Sequence, residues 1–447
     1  MSILRRLRLG QYSYAIAFVV ASAVCAFAQS RPPMILIPGL TGSELVNAKT
    51  GERVWFKLRR AKGDDLRLPI GPNIAANKDG LVPGDIIRDV KTGILPKEDA
   101  YGGFIAAMVA KGYREGRWDA PPARGYENTL YVYAYDWRLD IVENSRRLIR
   151  NIETLKRRLR RPDLKFDVVG HSMGGLVARY AAMYGDADLS PNGNSVPTWA
   201  GSKNIRRLVI IAAPNEGSPL SLRNMLSGIN LLGVELPFVQ SLSKFDIFTI
   251  PAAYELLPAP GTVKAFDQDL KPVDLDLYDP ATWSKYGWNV IEDKDFAKEF
   301  SAAEQRSAKT YFAAILDRAR RLHLALGGVG TSPAVPIYLI GADCRETVDA
   351  LVLYQKKDGQ WDSVFKADSF ETPAGRKVTS EELKAVIYGP GDGVVSRRSF
   401  AAATPTLGGV EAKLSPVSTT WVCENHSKLP SNPEVQAKVF TILSAAK

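Results

Sequence analysis

Cysteine and histidine are scarce in this chain of 447 residues, three of each. A zinc site of ordinary ligand type needs several such side chains close together, so that scarcity argues against one. No metal or organic cofactor is implied. The chain also lacks internal repeats, low-complexity tracts and, beyond its N-terminal leader, any apolar run long enough to span a membrane. Its densest basic run, Lys156-Arg157-Arg158-Leu159-Arg160-Arg161, has no aromatic residue interleaved with it. A nucleic-acid partner is therefore not expected, and the run reads as the solvated face of a helix.

Apolar residues make up 45% and charged residues 24%, a balance that permits a sizeable core and excludes global disorder. Residues 1–28 read as a secretory signal. Arg5, Arg6 and Arg8 form a basic start, an apolar run follows from Ala15 to Phe27, and Ala26-Phe27-Ala28 offers a small-x-small cleavage site before Gln29. An uncleaved anchor is the competing reading, but the run falls short of a membrane span. Export to the periplasm or the extracellular space is thus expected. Cleavage removes three Arg and no acid from a chain of net charge +10, leaving +7. A cationic surface of that size favours peripheral contact with anionic lipid. Cys344 and Cys423 remain after cleavage, and an oxidising compartment allows them to pair. Two buried free thiols are the alternative.

Along residues 29–447, short apolar runs alternate with helical patterns. Strands are expected at 34–37, 130–133, 166–169, 207–211 and 337–340. Helices are expected at 141–160, where Ile141, Leu148, Ile152, Leu155 and Leu159 share a face, and at 176–184. Such alternation predicts an α/β fold, a mostly parallel sheet with helices on both faces. Two segments are too long for plain loops: residues 46–100 read as an insertion, and residues 215–333 as a cap or lid. Within the latter, the apolar stretch from Ile229 to Val239 is expected either to pack on the core or to bind acyl chains at the mouth of a site.

Gly170-His171-Ser172-Met173-Gly174 carries the strongest chemical signal. It follows an apolar strand and precedes a helix, the context of a Gly-x-Ser-x-Gly nucleophile elbow. A serine on so tight a turn leaves no room for side chains two residues to either side. It also needs a base, because its hydroxyl is otherwise a weak nucleophile. Only His323 and His426 lie downstream. His323 falls in a basic helical stretch of the cap, whereas His426 lies in a polar segment just before a final helix, where such a base belongs. For the acid there are two candidates: Asp392, in the tight loop Gly391-Asp392-Gly393, and Asp343, directly beyond the strand at 337–340. The oxyanion needs two backbone donors. Met173 is one, and the turn after the first strand supplies Leu40 or Thr41 as the other.

The chain resembles the lecithin:cholesterol acyltransferase and phospholipid:diacylglycerol acyltransferase family, within the α/β-hydrolases. The resemblance rests on Ile37-Pro38-Gly39 with Gly42-Ser43-Glu44-Leu45, Tyr135-Asp136-Trp137-Arg138, Gly170 to Gly175, Ala213-Pro214-Asn215-Glu216-Gly217-Ser218, Leu256-Leu257-Pro258 and Gly391 to Val395. It implies a triad of Ser172, Asp392 and His426, an oxyanion hole of Leu40 and Met173, and a lipid ester as substrate. Leu40 departs from the Cys of the vertebrate plasma enzyme, and Val394 from the Thr of many members. Three functions compete: O-acyl transfer to an alcohol, hydrolysis as a lipase or phospholipase, and inactive lipid binding. An intact Ser, His and acid set argues against the last.

Overall fold

Short apolar runs form the spine of the molecule. Met34–Ile37 (β1), Arg114–Gly116 (β2), Thr129–Val132 (β3), Phe166–His171 (β4), Ile205–Ile211 (β5), Ile337–Gly341 (β6) and Ser418–Trp421 (β7) form one sheet in this computed structural model. The residues described are 30–57, 64–90, 98–191, 196–230, 241–328, 333–402 and 414–445. The expected leader, residues 1–28, lies outside them. From Pro32 onward the described residues form one unit.

The sheet order is β7-β6-β5-β4-β1-β3-β2, and each neighbouring pair runs parallel. Every residue of β1 and β4 is buried, which explains why these strands read as continuous apolar runs rather than alternating ones. The two faces of β1 enter two different cores. Ile35 and Ile37 join one with Leu148, Ile152, Leu176 and Val177. Met34 and Leu36 join the other with Phe104, Met108, Val435 and Val439. Helices therefore cover both faces: Ile141–Leu159 and Met173–Tyr184 on one, Gly102–Ala110 and Pro433–Ser444 on the other. We call them, in chain order, α1 (102–110), α2 (141–159), α3 (173–184) and, with Ala302–Leu326 as α4, α5 (433–444). This is the expected α/β-hydrolase architecture.

The remaining described chain is built onto the sheet in three excursions. After β1, Ser43–Asn47 pairs antiparallel with Arg53–Trp55 and Leu81–Ile86. Between β5 and β6 come several short helices and then α4, which starts at a reciprocal cap between Ser301 and Glu304. Phe248, Tyr254, Trp283 and Phe312 interlock there edge-on and tilted. Between β6 and β7, Leu351–Gln355 pairs with Trp361–Val364 and also with Ala265–Phe266 of the previous excursion. The second and third excursions are thus stitched into one small sheet. Of the apolar stretch 229–239, Ile229 and Asn230 pair antiparallel with Ser241 and Leu242; its other residues lie outside those described. Among the described residues no helix is long and apolar enough to cross a membrane.

Candidate active site

At the end of β4 the chain turns abruptly into α3, and Ser172 occupies the corner at φ 53°, ψ −128°. A non-glycine residue adopts that conformation only when its surroundings impose it. The surroundings here are the flanking backbones. A Cβ on Gly170 would stand 2.6 Å from the Gly174 carbonyl oxygen, and one on Gly174 would run into the Pro38 carbonyl. The Ser172 N–H donates to Ile211 O of β5 at 2.8 Å, pinning the corner to the neighbouring strand.

The corner meets a loop that follows β7. His426 Nε2 lies 2.9 Å from Ser172 Oγ, and His426 Nδ1 lies 2.7 Å from Asp392 Oδ2. Asp392 Oδ1 accepts from the N–H groups of Val394 (2.9 Å) and Val395 (2.7 Å). Burial by itself would raise the Asp392 carboxyl. The charge and hydrogen bond of His426 outweigh it, with help from the two N–H groups, and hold the carboxyl below the usual carboxylate range. An ionised Asp392 fixes Nδ1–H as its donor and leaves Nε2 free to accept from the serine. The His426 backbone is held to the same loop, its N–H donating to Asp392 O at 2.9 Å.

Asp343 lies elsewhere, accepting from Arg397 Nη1 at 3.0 Å. His323 is buried on α4 with its ring 6.0 Å from that of Tyr278. Asp343, the rival of Asp392, and His323, the rival of His426, thus lie against other groups. Cys344, three residues past β6, forms a disulfide with Cys423, which lies three residues before His426. Among the described residues no cluster of His, Cys, Asp and Glu could hold a metal ion.

The turn after β1 faces the corner. Gly42 N donates to Gly39 O at 3.1 Å, and the Gly39 N–H is taken by Tyr101 Oη at 2.7 Å. The Leu40 and Thr41 N–H groups make no hydrogen bond to the described residues. Met173 is the first residue of α3, so its N–H has no partner inside the helix. Three backbone donors, Leu40, Thr41 and Met173, therefore have capacity to spare on the two segments that meet at Ser172.

The other motifs hold these loops in place. Tyr135 Oη donates to Pro38 O at 2.9 Å, Tyr135 N to Ser43 Oγ at 3.1 Å, and Trp137 Nε1 to Ser43 O at 3.2 Å. Arg138 is fully buried and bidentate to both Asp136 (3.0 and 2.8 Å) and Asp79 (2.6 and 2.9 Å). Behind the acid loop, Ser218 Oγ donates to Val394 O at 2.9 Å and Ser399 Oγ to Gly217 O at 2.6 Å. Thr347 Oγ1 accepts the Gly393 N–H at 2.9 Å. Tyr101, Asp79, Thr347 and Ser399 had no local signal. Each is a single polar residue in an unremarkable segment, and only the tertiary fold brings it to the site.

The model of one family, lecithin:cholesterol acyltransferase, matches residues 120–446. No curated protein matches the chain significantly. Among solved structures, a chain of the Tle4–Tli4 complex aligns with a TM-score of 0.54 at 16% identity, covering 92% of this chain and 98% of that one. That likeness is one of fold. The Bacillus licheniformis lipase BlEst2 in its propeptide form aligns at TM-score 0.38 and 10% identity, covering 94% of this chain and 51% of that one. Phospholipase PlaB from Legionella pneumophila aligns at TM-score 0.27 and 10% identity, covering 78% and 57%. With the family match spanning most of its length, the chain belongs to the lecithin:cholesterol acyltransferase family and is an enzyme acting on lipid esters.

Proposed function

We propose that the chain transfers the acyl group of a phospholipid or similar lipid ester through Ser172 to an alcohol or to water. The observation that carries this reading is the unbroken line from Ser172 Oγ through the His426 ring to Asp392. His426 Nε2 takes the serine proton as Oγ attacks the ester carbonyl. The oxyanion is met by the Leu40 and Met173 N–H groups. Collapse breaks the ester bond, and the departing alkoxide takes the proton back from His426, leaving an acyl-enzyme. The incoming alcohol or water then gives its proton to His426 and attacks the acyl carbon, and the same steps run in reverse.

Radiolabelled phosphatidylcholine vesicles, with and without a long-chain alcohol, test this directly. A new labelled ester means transfer, and free fatty acid alone means hydrolysis. Neither product, or undiminished turnover by folded Ser172→Ala, would sink the reading. We also propose export, which the Cys344–Cys423 disulfide supports. Two reactive thiols on the unfolded, unreduced protein, purified from cells that carry its own leader, would count against the bridge.

A further inference from the structure

Tyr101 and His171 are both about 5% exposed, and neither takes part in the proton transfers described above. Their contacts form a single sequence. Gly39 N–H donates to Tyr101 Oη at 2.7 Å, Tyr101 Oη lies 2.7 Å from His171 Nδ1, and His171 Nε2 lies 3.1 Å from the His426 carbonyl oxygen. A carbonyl can only accept, so His171 Nε2 carries a hydrogen. In a neutral ring Nδ1 then accepts, and Tyr101 must donate to it while receiving the Gly39 N–H. Only one direction of donation satisfies all four groups. A protonated His171 would turn its Nδ1–H against the tyrosine hydroxyl and break that order. Burial, followed by the neighbouring His426, pushes His171 down to about 3, so the ring stays neutral.

The two ends of this sequence matter. The Pro38–Gly39 peptide is gripped on both edges: Tyr135 Oη donates to its carbonyl at 2.9 Å, and its N–H goes to Tyr101. The next peptide, Gly39–Leu40, carries the proposed oxyanion donor. At the far end the His426 backbone is gripped on both sides too, by Asp392 O through its N–H and by His171 through its carbonyl.

We propose that Tyr101 and His171 are positioning residues, joining the turn that carries the oxyanion donor to the loop that carries the base in one hydrogen-bonded chain. This rests on the acyl-enzyme reading. It supplies what that reading leaves open, namely how a loop from an interior strand and one from an edge strand keep register with Ser172. Neither side chain touches substrate. Their effect is on the geometry in which the transition state is met, so they act on turnover rather than on substrate affinity.

The test uses the full-length chain and p-nitrophenyl butyrate, with Ser172→Ala, Tyr101→Phe, His171→Gln and the Tyr101→Phe/His171→Gln double variant made in parallel. Phe keeps the ring and removes both bonds of the hydroxyl; Gln can keep an N–H for the His426 carbonyl but has no acceptor at the position of Nδ1. Each single variant is expected to lose kcat by about 10- to 100-fold with KM changed by less than about 3-fold, as small misplacements of catalytic groups do. The double variant is expected to be no slower than the worse single one, because the chain is already broken. A lowered melting temperature with full kcat in either folded single variant would overturn the proposal, and so would losses that multiply in the double variant. If Tyr101→Phe does not fold, His171→Gln decides alone; if neither folds, the chain is structural and the proposal fails. A folded, active Ser172→Ala would instead bring down the acyl-enzyme reading itself, which separates the two failures.

Discussion

Asp392 and Asp343 both lie between β6 and β7, yet only Asp392 reaches an imidazole. Asp343 is spent on Arg397 at a partly exposed position, where an ion pair contributes little. Asp392 is 3% exposed and has both carboxylate oxygens engaged, one by His426 and one by two backbone N–H groups. An amide in its place could present a carbonyl or an NH2 to Nδ1, but not a charge that stabilises the imidazolium formed as Ser172 attacks. Asp392→Asn is therefore expected to lower kcat by about 10⁴-fold, the size seen when a triad acid is neutralised. Asp343→Asn should stay within about 3-fold, since it loses only an exposed pair. Steady-state rates on a soluble ester settle the matter, and equal losses would mean that the wrong carboxylate has been assigned. At this scale the site was largely legible beforehand. Ser172 and His426 stood out because their chemistry requires a particular local setting, and Asp392 because glycines flank it. Tyr101 could not be read, because a buried hydroxyl between two distant loops leaves no mark on its neighbours in sequence.

At the level of elements, the strands easiest to read were those buried on both faces. Met34–Ile37 begins and ends where the apolar run does, and Ile337–Gly341 extends it by one residue. The edge strands were not read as strands. Arg114–Gly116 and Ser418–Trp421 each have a neighbour on one side only, and neither has a fully buried residue. Their sequences look like loops because solvent, not the core, sets their composition. The pairing of Leu351–Gln355 with Ala265–Phe266 was equally hidden, since it joins segments with β6 between them in sequence. The Tyr135-Asp136-Trp137-Arg138 block was plain as a motif, but its purpose was not. Arg138 is the buried knot between the β3–α2 connection and Asp79 of the first excursion, and it also donates to Leu66 O at 3.3 Å. Arg138→Met leaves Asp136 buried without its counter-charge, with only the backbone N–H of residue 138 still donating to it. It should cost about 3–5 kcal/mol, the usual result of removing one partner from a buried ion pair. Urea unfolding followed by tryptophan fluorescence measures this, and a loss below about 1 kcal/mol would mean the pair is solvated in solution.

Across the whole molecule, core and covering segments meet at a second charged point. Glu255 is fully buried just before Leu256-Leu257-Pro258, and its Oε2 accepts the Ile141 N–H, the first of α2, at 2.7 Å. Beside it Asp140 caps the same helix and pairs with Arg318 of α4, which also holds Asp188 at 2.8 Å. Two carboxylates thus share one guanidinium, and Glu255 lies within reach of their charges. Burial, and then the charge of Asp140, hold the Glu255 carboxyl well above its ordinary range, against the weaker pull of the Ile141 N–H and Arg318. The sign follows from linkage. At pH values below the ordinary carboxyl range, Glu255 is protonated in both the folded and unfolded chain and has no effect on the balance. As pH rises, the unfolded chain releases this proton while the folded one keeps it. Stability then falls with pH, by up to about 1.4 kcal/mol per unit, until the folded group itself ionises. Glu255→Gln keeps an oxygen for the Ile141 N–H and offers an NH2 to Asp140, with no proton to lose. The variant is therefore expected to unfold at higher urea than the parent at pH 8, to lose most of that advantage by pH 5, and to match or trail the parent near pH 4. Unfolding midpoints at the three pH values decide it. A difference that does not change with pH would show that Glu255 is ionised in the folded protein, and that Arg318 and the start of α2 together outweigh its burial.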